Sequence, residues 1–375
     1  MDRKAWANDL LEKISPKMVK VVERNIDRVP YIVHDGRYDD WSSPEKIGWW
    51  TNGFWGGILW ECYHLTGNDL FRNEAIKLEE KMDAVFFDYM HMDHDAGFRW
   101  LPTAVAHYRQ DGNEMSFQRG LAAANNLAGR FNLNGNYIRA WNHNDMGNSN
   151  GIAIIDCMMN LPLLYWATEV TGDPRFSAIA KKHAYTVMEH FIRGDGSSRH
   201  IVDFDCESGE CKGPIPGQGY SPESSWTRGQ SWAIYGFALS YRHTHDEKFL
   251  DTSKRVANYI ISNLNDDCII PCDYRQDPNG PCKEDDTAAA ITACGLIELS
   301  QYCEDVDKAN YLKWAYRILD ALVEKSFTLD ENVDNLLERG TVAYHFGECE
   351  VPINYGDYYF IEALMKVADR EFFIW

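Results

Sequence analysis

A two-stroke alternation of helical segments runs through this 375-residue chain and limits what it can fold into. One stroke is apolar on nearly every side: Gly53 to Leu65, Phe98 to Tyr108, Ile152 to Val170, Gly229 to Tyr241, Ala288 to Tyr302 and Tyr358 to Val367. The other carries one apolar stripe and a charged face, as in Ala178-Ile-Ala-Lys-Lys-His-Ala-Tyr-Thr-Val187. Segments of this second kind also begin near Phe71, Glu114, Glu247 and Ala309, and the N-terminal stretch makes a sixth. Short turns join the strokes: Thr66-Gly67-Asn68-Asp69, Gln110-Asp111-Gly112-Asn113, Thr171-Gly172-Asp173-Pro174, Thr244-His245-Asp246 and Glu304-Asp305-Val306-Asp307. Gly and Asp in such turns close one helix and cap the next. Helices apolar all round belong inside and striped ones outside. Six such pairs closed in a ring give an all-α fold, the (α/α)6 double-layered helical barrel; an open solenoid is the alternative. No internal boundary breaks the pattern, so residues 1–375 read as a single domain. Strand-like stretches are few, Tyr137 to Trp141 and Ser198 to Phe204, and are expected as loop hairpins.

Within the third apolar segment stands one charge, Asp156, among Ile154, Ile155, Cys157 and Met158. A carboxylate there loses hydration, which raises its pKa unless it is paired or hydrogen-bonded. A carboxyl that keeps its proton near neutrality suits general-acid chemistry. In a barrel, the segments that precede the inner helices gather at one mouth. They hold Trp49-Trp50-Thr51-Asn52, His91-Met-Asp93-His94-Asp95, Trp141-Asn-His143-Asn-Asp145, Pro216-Gly217-Gln218, Ser225-Trp226-Thr227-Arg228, Asp285-Asp286 and Tyr355-Gly356-Asp357. Carboxylates, His, amides and Trp on one rim make a carbohydrate-site composition.

Besides Asp156 the strongest candidate is Asp95, at the N-cap of an inner helix on the rim, with plain capping as its alternative; Asp145, Asp285, Asp286 and Asp357 open or precede helices too, and for these capping is the simpler role. Arg228, between Trp226 and Trp232, has a guanidinium suited to a sugar carboxylate, or to a structural ion pair. His200 lies on a loop strand near the same rim. No nucleophilic-serine elbow, P-loop or dinucleotide fingerprint is present.

A net charge of −20 argues against nucleic acid or an anionic membrane as partner. No apolar run is long enough to span a bilayer and the N-terminus has no signal core, so the expected location is cytoplasmic. The ten cysteines complete no CxxC or Cys/His zinc pattern, so no metal is expected.

Several strings carry a resemblance. Trp50-Thr-Asn-Gly-Phe-Trp-Gly-Gly-Ile-Leu-Trp60, His94-Asp-Ala-Gly-Phe98, Ile155-Asp-Cys-Met-Met-Asn-Leu-Pro-Leu-Leu164, Trp226-Thr-Arg-Gly-Gln-Ser-Trp232 and Gly356-Asp-Tyr-Tyr-Phe-Ile-Glu-Ala-Leu364 all resemble the unsaturated glucuronyl hydrolases, glycoside hydrolase family 88. The matches run in family order from about residue 40 to 366. The resemblance implies an (α/α)6 barrel that acts on lyase-made oligosaccharides bearing a 4,5-unsaturated uronic acid at the nonreducing end. It implies hydration of the vinyl ether, with Asp156 as general acid/base, Asp95 as the second essential aspartate, and no metal or organic cofactor. It places Trp50, Trp141, His200, Gln218, Arg228 and Trp232 around the sugar.

Three features depart from the family pattern. Asn52 stands where members carry Asp, Gly217 where His is often found, and the loop from Gly347 to Tyr355 offers Glu348 and Glu350 in place of a sulfate-gripping Ser and Lys. Rival readings are an unsaturated rhamnogalacturonyl hydrolase acting on pectin fragments, an inverting glycosidase with its carboxyls roughly 6.5–9.5 Å apart, and a non-catalytic carbohydrate-binding scaffold.

Overall fold

A computed structural model describes residues 2–142 and 149–375. Asp145 and His143, two of the rim residues, lie outside the described residues. The outer layer is α1 (Arg3–Arg24), α3 (Asp69–Lys81), α6 (Glu114–Gly129), α8 (Pro174–His190), α10 (Glu247–Asn263) and α12 (Asp305–Lys325). The inner layer is α2 (Asn52–Thr66), α4 (Ala96–Trp100) continued into α5 (Ala106–Asp111), α7 (Leu161–Thr171), α9 (Thr227–Thr244), α11 (Asp286–Ser300) and α13 (Asn354–Val367). Each inner helix packs on the next, and α13 packs on α2, which closes the ring. The (α/α)6 barrel expected from the alternation is the fold.

Glycine stands at each of the six inner junctions, where a neighbouring backbone or side chain occupies or crowds the space a side chain would need. A Cβ at Gly53 would lie 2.0 Å from Phe98 O, one at Gly97 2.4 Å from Asn160 Cα, and one at Gly236 2.5 Å from Met158 Cβ. Gly295, Gly356 and Gly57 meet Ile234, Thr287 and Tyr358 at 2.9, 3.1 and 2.5 Å. Four turns behave as their sequences imply. Gly67, Gly112, Gly172 and His245 take the left-handed conformation, and Asn68, Asn113, Asp173 and Asp246 then cap the following helix with their side chains. The fifth turn differs: Glu304 makes no side-chain cap. Between α4 and α5, Leu101–Val105 is a π-helical turn, which absorbs the missing N–H of Pro102.

The strands are short. β1 (Val33–His34) pairs with β2 (Arg37–Tyr38), and β3 (Phe131–Asn132) with β4 (Tyr137–Ile138). β5 (Ile152–Ile154), β6 (Ile201–Phe204) and β7 (Cys211–Ile215) form a three-stranded antiparallel sheet in the order β5-β6-β7. The expectation that Ile152 to Val170 is one helix is corrected here. Its first residues are β5, residues Ile155–Met159 form a tight 3₁₀ turn, and only Leu161–Thr171 is helical. A uniformly apolar run fits a buried strand as well as a helix, and Pro162, at a first-turn position of α7, marks where the helix can begin.

Candidate active site

Asp156 projects from that 3₁₀ turn, at the seam between sheet and barrel. The antiparallel register pairs Ile154 with Ile201, and Ile155 N donates to His200 O at 3.0 Å, so strand pairing itself carries His200 to Asp156. His200 Nε2 stands 3.5 Å from Asp156 Oδ2. The other ring nitrogen, Nδ1, accepts the backbone N–H of Gln218 at 3.0 Å. An atom that accepts a proton donor carries no proton of its own, so the ring proton sits on Nε2, toward Asp156.

The second aspartate comes from the neighbouring inner helix. Asp95 occupies the N-cap position of α4 but makes no side-chain cap, so capping does not account for it. Instead its Oδ2 lies 3.5 Å from His94 Nε2, and its Oδ1 accepts from Asn160 Nδ2 at 3.4 Å. Asn160 also sits at an N-cap position without capping its own helix. Its side chain is turned across the junction: Oδ1 accepts from Phe98 N at 2.7 Å, and Nδ2 also donates to Asp156 O at 3.3 Å. One amide thus ties the two aspartate-bearing segments together. Sequence reading named neither Asn160 nor His94 as a site residue. In the sequence Asn160 is an uncharged amide within an apolar run and His94 one more histidine beside an aspartate, and neither pattern signals the contact it makes.

Electrostatics divide the aspartates. Burial pushes Asp95 well above the usual carboxylate range, and the charges of Asp93 and Asp156 push the same way. Arg99, whose charge opposes this rise, gives Nη2 to Asp93 at 2.7 Å and Nη1 to Gly48 O at 2.7 Å. Asp156 is the reverse of what its apolar neighbours imply. Burial raises it, but His200, with His94 and Arg228 behind, outweighs burial and holds it below the ordinary value. The expected upward shift is therefore corrected: the groups facing Asp156 lower it. The apolar neighbours are adjacent in sequence, whereas the groups that face the carboxylate come from the residue just before β6, from α9 and from the segment before α4. Burial holds His94 itself down, to about 4.

The remaining candidates form one connected rim. Trp141 meets His94 edge-on with centroids 6.5 Å apart. Trp50, half-buried, packs against Phe98 and Tyr355 at 5.5 and 5.2 Å. Trp226 lies 4.2 Å from the His200 ring and 4.5 Å from the Arg228 guanidinium. Trp232 has no solvent exposure and packs beneath Phe98 at 5.0 Å, so it supports the floor of the site. Arg228 is 1% exposed and largely committed: Nη1 bonds Asp285 Oδ2 at 2.8 Å and Thr341 O at 2.7 Å, and Nη2 bonds Val342 O at 2.7 Å. Its geometry is that of the structural ion pair, with only Nε left without a partner. Gln218 Nε2 also donates to Val342 O, at 2.8 Å, and Gln218 O accepts from Tyr344 N at 2.7 Å. Arg228 and Gln218 therefore suspend the loop that carries Glu348 and Glu350. Asp285 does cap α11, through Thr287 N and Ala288 N, while Asp357 receives Tyr38 Oη, Leu336 N and Leu337 N.

Asn52 has a structural reason. Its Nδ2 donates to Lys46 O and Ile47 O, both at 3.0 Å, which an ionised Asp cannot do. Among the described residues no cluster of His, Cys, Asp and Glu has the arrangement of a metal site, and no helix is long and apolar enough to cross a membrane.

The model of Glycosyl Hydrolase Family 88 matches residues 17–362. An unsaturated glucuronyl hydrolase from Bacillus sp. (strain GL1) is 34% identical over 325 residues, which cover 85% of this chain and 86% of that protein. An unsaturated chondroitin disaccharide hydrolase from Streptococcus pneumoniae (strain ATCC BAA-255 / R6) is 35% identical over 84% of this chain and 81% of its own length. Among solved structures, an unsaturated glucuronyl hydrolase responsible for the degradation of glycosaminoglycan, from Bacillus sp. GL1, superimposes with a TM-score of 0.88 at 32% identity, covering 95% of this chain and 96% of that one.

Proposed function

The chain belongs to Glycosyl Hydrolase Family 88, and on that footing we propose that it releases a 4,5-unsaturated uronic acid from the nonreducing end of lyase-made, glycosaminoglycan-type oligosaccharides. The observation that most supports this reading is the pair of nine-tenths-buried aspartates held on one amide, Asp95 prone to keep its proton and Asp156 prone to lose it.

Burial alone drives Asp156 toward its acid form, and the basic groups facing it hold it ionised. A uronate carboxylate brought into this site adds a like charge and excludes water, both of which favour the acid. Asp156 then takes up a proton as substrate binds. It delivers that proton to C4 of the vinyl ether, leaving positive charge shared between C5 and the ring oxygen. Ionised again, Asp156 accepts a proton from the water that adds to C5. The C5 hemiketal opens, and the ring oxygen becomes a hydroxyl on C1. The C1 hemiacetal collapses to an aldehyde and the free saccharide, so one water is consumed overall. Asp95, as the neutral acid, can donate a hydrogen bond to a ring hydroxyl, and His200 Nε2–H orients Asp156. Trp50 and Trp141 offer half-buried aromatic faces for the sugar.

The test is loss of the double-bond ultraviolet absorbance on unsaturated disaccharides made by hyaluronan or chondroitin lyases, with unsaturated rhamnogalacturonides as the contrasting substrates. Turnover of the first set by wild type, and none by Asp156→Asn, is the expected result. Turnover of the rhamnogalacturonides alone would reassign the substrate class.

A further inference from the structure

Gly217 precedes the residue whose backbone N–H fixes His200, and its surroundings account for its lack of a side chain. A Cβ built there would lie 2.1 Å from His200 Nδ1, 2.9 Å from His200 Cε1 and 3.0 Å from Ile201 Cδ1. No real Cβ contact is as short as the first. Unlike Gly213, whose φ is +111°, Gly217 has no positive φ, so an L-residue could adopt its backbone. Space against the imidazole is the constraint. The same close approach lets Gln218 N reach Nδ1 at 3.0 Å. Moving the chain back to admit a methyl group would break that bond, and keeping the chain in place would push the ring away. The ring has little room, since Trp226 packs against it at 4.2 Å and its side chain is 9% exposed.

We propose that Gly217 is a positioning residue for the reaction: by letting the 217–218 backbone lie against the imidazole, it fixes the His200 tautomer with the proton on Nε2, facing Asp156. This rests on the function proposed above for Asp156. The far end of the same short segment is also anchored, because Gln218 bonds Val342 O and Tyr344 N. The Gln218 amide therefore cannot follow a displaced ring without pulling on the 341–350 loop.

The experiment uses Gly217→Ala, His200→Ala and the double variant. In Gly217→Ala, kcat should fall on the order of tenfold to a hundredfold, the cost of misplacing a catalytic group by about an ångström, with KM changed little. In the His200→Ala background the added methyl enters vacated space, so Gly217→Ala should cost no further activity; that loss of additivity is the signature of action through His200. Independently of turnover, ¹⁵N NMR of histidine-labelled wild type should show His200 Nδ1 unprotonated and Nε2 protonated. The resonance is assigned by its disappearance in His200→Ala, and Gly217→Ala should mix the tautomers. If Gly217→Ala fails to fold, the double variant should fold, because the clash has been removed. Wild-type kcat in Gly217→Ala, an equal penalty in both backgrounds, an unchanged tautomer, or a double variant that also fails to fold would each overturn the proposal. A wild-type protein inactive on unsaturated disaccharides would sink the proposed reaction and leave the tautomer test standing.

Discussion

Asn160 Nδ2 lies between two acids of opposite tendency, 3.4 Å from the Asp95 carboxylate and 3.3 Å from the Asp156 carbonyl. Substituting either aspartate by asparagine keeps the shape and removes one proton site. Asp156→Asn should abolish turnover with the fold intact, because the amide cannot deliver a proton to C4. Circular dichroism establishes the fold and ultraviolet decay the activity. Retained turnover in a folded Asp156→Asn would remove Asp156 from its role.

The depressed pKa of Asp156 makes a second expectation, and its sign is definite. On the mechanism proposed above, Asp156, held below its ordinary pKa, gains its proton as substrate arrives, so binding near neutral pH takes up a proton. Asp95→Asn, expected to bind without efficient turnover, is the form in which to measure this. The binding enthalpy in calorimetry should vary with the ionisation enthalpy of the buffer, reporting uptake approaching one proton. Asp95→Asn/Asp156→Asn should show none. As pH rises, the proton becomes harder to supply, so kcat/KM should fall on the alkaline side. Equal buffer dependence in both variants would place the proton elsewhere.

Arg228 and Asp285 make a sealed pair, their side chains 1% and 0% exposed, and Arg228 also holds Thr341 and Val342. Removing one member strands a buried charge, at a cost of about 3–5 kcal/mol. Arg228→Ala should therefore lower the denaturation midpoint strongly. Arg228→Lys should recover little, because one ammonium cannot span three acceptors in different directions. Chemical denaturation monitored by Trp fluorescence measures both. A loss below about 1 kcal/mol for Arg228→Ala, a size typical of exposed pairs, would mean that the pair does not hold the loop.

Glu348 and Glu350 are exposed on that loop; Glu348 faces His34 at 3.5 Å, and Glu350 accepts from Glu284 N. A sulfate at the 6-position of the amino sugar would meet like charge there, costing ~1 kcal/mol after screening. Unsulfated disaccharides should thus show a several-fold higher kcat/KM than their 6-sulfated counterparts. Glu348→Ser/Glu350→Lys should narrow the gap. An equal or reversed preference in wild type would show that sulfate is read by another wall.

What was legible in the sequence was local. The helix alternation, four of the turns and the isolation of Asp156 all follow from residues close together in the chain. The strand β5 was not legible, because Ile152-Ala-Ile154 is as apolar as the helix after it, and its partner β6 lies beyond α8. The same distance hides the downward pull on Asp156, because His200 stands just ahead of β6. The sequence leaves Arg228 open between a sugar carboxylate and a structural ion pair, because Asp285, its partner, stands at the N-cap of the next inner helix. The departure at Gly217 was visible, but its meaning was not until the His200 ring stood 2.1 Å from its missing Cβ.

All six inner helices begin at the same mouth, with Trp50, Asp95, Asp156, Trp226, Asp285 and Tyr355 at or near their first turns. Each N-terminus presents peptide N–H groups equivalent to about half an elementary charge. Some of those groups are already taken: Asn160 accepts from Phe98 N, and Asp285 from Thr287 N and Ala288 N. The same mouth holds the carboxyls of Asp95 and Asp156, and the chain as a whole carries a net charge of −20. On the function proposed above, a short anionic fragment meets less repulsion on its way in than a long polyanion, which faces that net charge along its whole length.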